Sequence, residues 1–302
     1  MPSVSLPLKE AYAACEQLAK SHYENFPVAS RLLPVAMREH VAALYAFARI
    51  ADDIADEGEV AAEERQAQLR AWQERLHAAA QGQDVEPGPG NRDDLILTAI
   101  GHSIRSLDLP LSLFDDLVSA FRQDTMTTRY ASWCDVLDYC RRSANPVGRL
   151  VLRIAGYRDG SLDQSADALC TALQLTNFWQ DFGRDWRVGR LYVPREVQDA
   201  CGAHEAELVG GRMSSTWARA IESCVDFTRR LFEEGRAVCD GVRGRLRLEL
   251  RFTWLGGVRI LERTEQGRFD LFERRPSLGT TDAALLVSRA LCWLPHSRLA
   301  RS

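Results

Sequence analysis

The chain has 302 residues, of which 46% are hydrophobic, and its formal net charge is −4. A chain of this size can bury a large core, and length alone permits one large domain or two ordinary ones. The acidic balance gives no reason to expect a nucleic-acid partner. Residues 1–8 lack the basic and apolar pattern of a secretory signal, and charges interrupt every apolar stretch before it reaches membrane-spanning length.

Apolar residues recur at helical spacing along most of the chain. Pro27 ends the first helix because it disfavours helical geometry at Phe26, Pro34 opens the second helix, and Gly58 ends it. Helices are predicted at 8–24, 34–56, 60–80, 92–107, 110–128, 132–156, 163–185, 212–240, 245–266 and 281–293, with a kink at Pro146, a loop at 82–90 and a turn at 189–194. Residues 243–251 alternate with period two, but helical spacing resumes after them, so we predict helix there. The expected class is all-α, and the loop at 82–90 is no domain boundary.

The eight cysteines are scattered, without a Cys-x-x-Cys pair or a nearby histidine cluster, which argues against zinc and iron–sulfur sites. Separated cysteines without a secretory signal are typical of reduced, mostly buried side chains. The sequence therefore predicts a cytoplasmic protein.

Two predicted helices carry aspartates at spacing four, an arrangement of like charges that mildly destabilises a helix. The first run contains Asp52, Asp53 and Asp56, and the second forms the stripe Asn177, Asp181 and Asp185. Aromatic residues flank both runs, which is unusual for a solvated acidic face, the alternative interpretation of either run alone. We expect the two runs to face each other and to hold Mg²⁺ over a diphosphate, because Mg²⁺ is typically held by few carboxylates plus phosphate oxygens.

No P-loop glycine motif is present, so metal and arginine would have to bind the phosphates. The candidates beside the acidic runs are Arg49, Arg187, Arg190 and Tyr192, with a plain surface charge as the alternative for Arg187. Departure of a metal-bound diphosphate would leave a carbocation, which aromatic faces stabilise. The candidate aromatic residues are Phe26, Tyr45, Phe47, Phe178 and Trp179, and each taken singly fits a core position as well.

The motifs Arg49-x-x-Asp-Asp-x-x-Asp56 and Gln180-Asp-x-x-x-Asp-x-x-x-Gly-Arg-x-Tyr-x-Pro194 resemble the paired signatures of the squalene/phytoene synthase family. The resemblance extends from His22 to about Pro276. It implies one isoprenoid synthase domain over residues 1–302, an all-α bundle around a central active-site cavity. It also implies metal ligands at Asp52, Asp56, Asp181 and Asp185, with Asp53 completing the first motif, and contacts to diphosphate or metal from Tyr45, Arg49, Gln174, Asn177, Arg190 and Tyr192.

The runs at 22–30, 139–148 and 175–181 resemble the bacterial hydroxysqualene synthases of hopanoid biosynthesis within this family. The resemblance implies ionisation of presqualene diphosphate, rearrangement of the cyclopropylcarbinyl cation and quenching by water, with no requirement for NADPH. Asn145 is a candidate for holding that water. Enzymes that make the substrate and consume the product are the implied pathway neighbours.

The chain also departs from relatives that condense two prenyl diphosphates. Tyr23 and Asn25 stand where those relatives often carry small hydroxyl residues, although Asn25 can still donate to phosphate. Arg141 and Arg142 stand where they carry a tyrosine, which disfavours the condensing step; these arginines either hold diphosphate or lie at the surface. The alternatives are a condensing squalene or phytoene synthase and a non-catalytic scaffold protein, although scaffold members tend to lose the aspartates that this chain keeps.

Residues 283–294 are apolar enough to lie on a bilayer as an amphipathic helix. A last core helix is the alternative interpretation. Because the implied product is long and apolar, it leaves more easily into lipid than into water, and a peripheral membrane contact fits that chemistry.

Overall fold

A computed structural model describes residues 6–21, 32–58, 60–83 and 91–293 of the chain. The helices are α1 Leu6–Ser21, α2 Val35–Asp56, α3 Ala62–Ala80, α4 Asn91–Leu107, α5 Leu111–Asp124, α6 Trp133–Ser143, α7 Asn145–Ile154, α8 Gly160–Gln180, α9 Phe182–Arg187, α10 Arg195–Cys201, α11 Ser215–Gly235, α12 Ala237–Gly241, α13 Gly244–Gln266 and α14 Thr280–Leu291. A short 3₁₀ helix spans Glu205–Leu208. Within the described ranges there is no β-strand, only a single bridge between Arg129 and Leu191, so the all-α prediction is confirmed.

The chain divides into two compact units, residues 1–126 with 149–158 and residues 127–148 with 159–302. In the first unit α2 packs against α1, α3, α4 and α5. Its core includes Phe47, which stacks on Trp72 and meets the edge of Phe114. In the second unit α8 is the central helix and packs against α6, α11, α12 and α13. The number of domains stays a prediction.

Several helix ends follow from the local chemistry of the chain. Pro34 precedes α2 with a φ of −52°. Gly58 lies two residues after the last residue of α2, and its φ of 80° is the left-handed conformation that stops a helix from continuing. The Ser132 side chain accepts from the Asp135 amide and Asp135 accepts from the Ser132 amide, a capping box that starts α6.

Two helices predicted as continuous are interrupted, and a third breaks next to its predicted kink. The predicted helix 132–156 breaks at Ala144 and restarts as α7, because Pro146 has no N–H to donate to the preceding turn. The predicted helix 163–185 breaks at Asp181, and the predicted helix 212–240 breaks at Arg236. The period-two run at 243–251 is helical, as predicted, and α10 and the 3₁₀ helix were not predicted.

No helix in the described ranges is both long enough and apolar enough to cross a membrane. All eight cysteines lie in those ranges, none is in a disulfide, and five of them are buried. The expectation of separate, mostly buried thiols is therefore confirmed.

Candidate functional site

The first acidic run lies at the C-terminal end of α2 and surrounds one arginine. Arg49 Nη1 lies 3.3 Å from Asp52 Oδ2, and its Nη2 lies 2.5 Å from Asp53 Oδ1 and 3.0 Å from Glu57 Oε1. Asp53, which completes the first motif, makes the shortest of these contacts. The arginine supplies part of the positive charge that the run needs.

Arg49 stays a firm cation in this setting. Burial alone would lower its pKa, but the carboxylates of Asp53 and Asp52 outweigh burial and raise the pKa above its ordinary value. Asp52 and Tyr45 are half-buried and Asp56 is exposed, so solvent reaches the carboxylates of the proposed metal pair. The run can therefore take a cation or a phosphate without losing its arginine charge.

The second acidic run lies at the junction of α8 and α9. Asp181 has a φ of −95° and a ψ of 8°, outside helical geometry. Its amide still donates to Asn177 O at 2.8 Å, and the Asp185 amide donates to Asp181 O at 2.9 Å. Because these four-residue hydrogen bonds continue through the break, Asn177, Asp181 and Asp185 keep the sequence of turns that their spacing predicts.

Asp181 is bound by an arginine that the sequence analysis did not select. Arg275 Nε and Nη2 donate to the two oxygens of the Asp181 carboxylate at 2.5 and 3.0 Å. Arg184 Nη1 lies 3.7 Å from Asp181 Oδ1. The carboxylate is only 13% exposed, so the bidentate pair with Arg275 is its main counter-charge in this structure.

The segment that carries Arg275 packs tightly on the second acidic run. A Cβ added to Gly183 would lie 2.5 Å from Leu271 O and 2.8 Å from Phe272 Cα, so only glycine permits this approach. Gln180 Nε2 donates to Pro276 O at 2.6 Å, and Arg187 donates to Phe272 O. Arg187 thus anchors backbone, a role that neither interpretation from sequence included.

Gln174 and Asn177 present amide groups with no hydrogen-bond partner among the described residues. Both lie on α8 and are half-buried, Gln174 two turns and Asn177 one turn before Asp181. Deeper in the same unit, Thr171 Oγ1 donates to Asn145 Oδ1 at 2.9 Å and fixes the orientation of that amide. The half-buried amides of Gln174 and Asn177 suit contacts to phosphate oxygens or metal-bound water.

The turn with Arg190 and Tyr192 is held by Arg129, another residue that the sequence analysis missed. Arg129 donates to Gly189 O at 2.6 Å and to both Glu205 carboxylate oxygens, and its guanidinium lies 5.6 Å from the centre of the Trp186 ring. The Arg190 amide donates to Asp185 O at 2.8 Å, which ties the turn to the acidic run. Asp185, Arg190 and Tyr192 line one narrow cleft.

The candidates Phe47, Phe178 and Trp179 are all buried, and Phe178 lies within a cluster of aromatic rings. Phe178 stacks on Tyr192 at 3.7 Å with an interplanar angle of 4°, and Tyr130 and Tyr139 complete this cluster. Phe47 and Trp179 are fully buried, and the Trp179 indole donates to Thr228 Oγ1 at 2.9 Å. Packing, the alternative interpretation, therefore applies to these two residues.

Arg141 and Arg142 share one carboxylate on α6. Their Nη2 atoms each lie 2.9 Å from an oxygen of Asp138. Burial opposes ionisation of Asp138, but the hydrogen bonds from both arginines dominate and lower its pKa. Arg141 is 53% exposed, and Arg142 is 14% exposed.

Within the described ranges, no three His, Cys, Asp or Glu side chains form a ready-made metal site. Each acidic run still offers two aspartates at spacing four, a donor set that fits Mg²⁺ because that ion keeps several waters and phosphate oxygens among its ligands. Tyr23, Asn25 and Phe26 lie outside the described residues. The expectation that the two runs face each other stays a prediction.

Comparison with known proteins bears on these motifs. A family model described as squalene/phytoene synthase matches residues 19–282. The hydroxysqualene synthase of Zymomonas mobilis is 38% identical over 234 residues, which cover 76% of this chain and 75% of that protein. The hydroxysqualene synthase of Rhodopseudomonas palustris is 33% identical and covers 83% and 82%. The 15-cis-phytoene synthase of Synechococcus elongatus is 29% identical and covers 97% and 94%.

Two solved structures are similar in fold. Squalene synthase HpnC from Alicyclobacillus acidocaldarius has a TM-score of 0.79 and 37% identity, covering 88% of this chain and 97% of that one. A dehydrosqualene synthase in complex with ligand has a TM-score of 0.82 and 22% identity, covering 95% and 97%. The predicted helical fold of isoprenoid synthases is therefore confirmed.

Proposed function

Because the chain belongs to the squalene/phytoene synthase family, we propose that it is a hydroxysqualene synthase of hopanoid biosynthesis. The bond between the cyclopropylcarbinyl carbon of presqualene diphosphate and the diphosphate oxygen breaks, and the electron pair leaves with the diphosphate. The cation rearranges, water adds to it, and loss of a proton gives hydroxysqualene. The observation that carries the proposal is the presence of both aspartate pairs beside arginines in a chain 38% identical to a hydroxysqualene synthase.

We propose that Asp52 and Asp56, and separately Asp181 and Asp185, bind Mg²⁺ and that both pairs are required. The ion would neutralise charge on the departing diphosphate. Asp53 is committed to Arg49 at 2.5 Å, which supports a role in fixing the arginine rather than in binding metal.

The chain's own cations and amides would hold the diphosphate. Burial lowers the pKa of Arg49, but the carboxylates of Asp53 and Asp52 outweigh burial and raise it. Arg49 therefore stays charged and would donate charge-assisted hydrogen bonds to the diphosphate. Arg190 lies on a turn fixed by Arg129, which supports a role for Arg190 in the same task. The remaining proposed contacts to diphosphate or its metal are Tyr45, Gln174, Asn177, Tyr192 and, outside the described residues, Asn25.

Water rather than hydride ends the proposed reaction, so no reductant enters it and NADPH is not required. Asn145 is our candidate for positioning that water. Its amide is held by Thr171 at 2.9 Å and is nearly buried, which supports a fixed orientation. The aromatic cluster of Tyr130, Tyr139, Phe178 and Tyr192 would help exclude other water.

The test is product analysis without NADPH. The purified protein is incubated with Mg²⁺ and presqualene diphosphate, and separately with Mg²⁺ and farnesyl diphosphate. We expect hydroxysqualene from the first substrate and no product from the second. An Asp52→Asn variant serves as the inactive control.

A condensing synthase is the second candidate, favoured by the 29% identity to a phytoene synthase over 97% of this chain. Arg141 and Arg142 argue against it, since they occupy the position of a tyrosine in condensing relatives and bind Asp138. Presqualene diphosphate or a hydrocarbon formed from farnesyl diphosphate alone would establish this candidate and overturn the first.

The proposed product is long and apolar, so a peripheral contact with a membrane surface belongs to the proposal. The partners that the chemistry requires are an enzyme that supplies presqualene diphosphate and one that consumes hydroxysqualene. No nucleic acid is expected, in line with the net charge of −4.

A further inference from the structure

Asp181, which forms the second aspartate pair with Asp185, is engaged by an arginine through both of its carboxylate oxygens. Arg275 Nε and Nη2 donate to these oxygens at 2.5 and 3.0 Å, and the Asp181 side chain is only 13% exposed. A bound Mg²⁺ ion keeps several waters and takes a carboxylate oxygen at about 2.1 Å. An ion at Asp181 would therefore lie close to the guanidinium, and the two like charges would repel each other.

The backbone that carries Arg275 is fixed on both sides of this residue. Gln180 Nε2 donates to Pro276 O at 2.6 Å, and Arg187 donates to Phe272 O. A movement of the whole segment would break these hydrogen bonds, whereas a rotation of the Arg275 side chain leaves them intact. An exchange of partners at the carboxylate is therefore a motion of one side chain.

The first aspartate pair is more open than the second. Asp52 is 42% exposed, against 13% for Asp181, and its contact to Arg49 measures 3.3 Å. Arg49 also lies 2.5 Å from Asp53 and 3.0 Å from Glu57, so it keeps two carboxylates beside it when Asp52 binds an ion. We therefore expect the first pair to take up metal at a lower concentration than the second pair.

A second arginine near Asp181 separates the effect of contact from the effect of charge. Arg184 Nη1 lies 3.7 Å from Asp181 Oδ1, and the Arg184 side chain is 64% exposed. Loss of either arginine removes one positive charge beside Asp181, but it is Arg275 that donates to both oxygens. The two arginines are therefore matched in charge and differ in contact.

We propose that Arg275 competes with the metal ion for Asp181 and thereby sets the metal affinity of the second aspartate pair. The guanidinium occupies the carboxylate and rotates away when the pair binds its ion, while the backbone of residues 272–276 stays in place. The ion pair protects a nearly buried charge that would otherwise lack a partner. It also weakens metal binding, because only the fraction of molecules in which Arg275 has left the carboxylate is competent to bind. This inference rests on the proposed function, which assigns Asp181 and Asp185 to Mg²⁺.

The test measures the binding of Mn²⁺ alone, without diphosphate, from the loss of the free-ion signal in electron paramagnetic resonance. Mn²⁺ suits the same carboxylate and water ligands as Mg²⁺. The full-length protein with Asp52→Asn and Asp56→Asn is the background, so that the second pair is measured. In this background Arg275→Gln should tighten Mn²⁺ binding about tenfold, which corresponds to a carboxylate that is competent about a tenth of the time. Adding Asp181→Asn to Arg275→Gln should remove the gain.

Arg184→Gln is the matched control. It removes the same charge from an exposed side chain 3.7 Å away, so it should tighten binding by less than about threefold. Arg275→Lys retains the charge without the planar two-oxygen contact and should give an intermediate affinity, and it replaces Arg275→Gln if that variant fails to fold. Weaker or unchanged Mn²⁺ binding in the Arg275 variants would overturn the proposal, because the ion would then bind beside an intact ion pair. Equal gains from Arg275→Gln and Arg184→Gln would also overturn it, since net charge alone would explain them.

Metal binding and product formation are separate measurements, so the two proposals can fail independently. If the wild type converts presqualene diphosphate to hydroxysqualene but Arg275→Gln does not tighten Mn²⁺ binding, the competition is wrong and the proposed function stands. If Arg275→Gln tightens Mn²⁺ binding but the wild type forms no product, the proposed function is wrong and the competition stands.

Discussion

Asp181 combines two demands in one carboxylate, because it is a proposed metal ligand and also the partner of Arg275. The pair is bidentate and mostly buried, with Asp181 13% and Arg275 28% exposed. Removing one member of such a pair destabilises the protein, because the other charge stays buried without a partner. Asp181 is therefore expected to matter both for the stability of the fold and for the proposed reaction.

Replacing Asp181 with asparagine should affect both stability and activity. We expect a loss of about 1–3 kcal/mol in the free energy of unfolding, because Arg275 loses its charged acceptor. We also expect product formation to fall by about a hundredfold or more, because metal and diphosphate lose a ligand. Denaturant unfolding and product analysis measure the two effects.

The matched control is Asp226→Asn. Asp226 also binds an arginine, Arg229, but it is 62% exposed, so its loss should change stability by less than about 0.5 kcal/mol. Equal effects of the two substitutions would show that burial and metal binding do not distinguish Asp181.

A second residue-scale feature is a buried polar cluster around Tyr12. Its hydroxyl lies 2.8 Å from His102 Nδ1, 3.2 Å from His40 Nδ1 and 3.0 Å from Ser103 Oγ. Burial is the main cause that lowers the pKa of both histidines. His102 further lowers the pKa of His40, and Arg105 lowers that of His102. Glu39 opposes the lowering of the His102 pKa only in part.

Stability should therefore fall as the pH drops below the ordinary histidine pKa of about 6.5. The unfolded chain binds protons there that the folded cluster resists, so this contribution is fully present above that pH and is lost below it. Urea midpoints measured between about pH 5 and pH 8 should show the slope, and His40→Gln with His102→Gln should flatten it. The control is His77→Gln, at a half-buried histidine outside this cluster that lies 2.7 Å from Asp115, and it should keep the slope. A slope that survives the double substitution would contradict the assignment.

At the scale of elements, the sequence predicted the long helices and the kink at Pro146, but not the interruptions at Asp181 and Arg236. The breaks at Ala144, Asp181 and Arg236 leave the apolar spacing intact on both sides, so periodicity does not reveal them. Only the break at Ala144 had a signal, Pro146. Helix α10 spans seven residues, too few to display a helical period clearly.

The contact of α9 with residues 271–276 gives the third prediction. Gly183→Ala would place a methyl group 2.5 Å from Leu271 O, so the segment that carries Arg275 must move. We expect a loss of about 1–3 kcal/mol of stability, with lower activity. Gly210→Ala is the control, because no atom lies within 4 Å of its added Cβ. Thermal unfolding and product analysis should separate the two variants, and equal behaviour would contradict the close approach.

At the scale of the whole molecule, local motifs were enough to select the aspartates as candidate site residues and to predict the turn at 189–194. The reason is that the spacing within each motif can be read directly from the chain. They did not predict Arg275, which binds Asp181 from 94 residues away, or Arg129, which binds Glu205 from 76 residues away. Such partners depend on tertiary packing, and a single arginine among many gives no local signal. The family motifs therefore identified the acidic groups but not the side chains that hold them.

The last prediction separates an enzyme from a scaffold protein. Mg²⁺ and diphosphate together should raise the thermal midpoint by a few degrees, because a ligand that binds only the folded state at a hundred times its Kd stabilises it by about 2.7 kcal/mol. Either component alone should do less, since the proposed complex needs the ion to offset the charge between aspartates and phosphates. Asp52→Asn with Asp56→Asn should abolish the shift, while Asp226→Asn should retain it. A midpoint that does not respond in the wild type would favour the scaffold interpretation, and a response that survives in the double variant would remove the first aspartate pair from the proposed site.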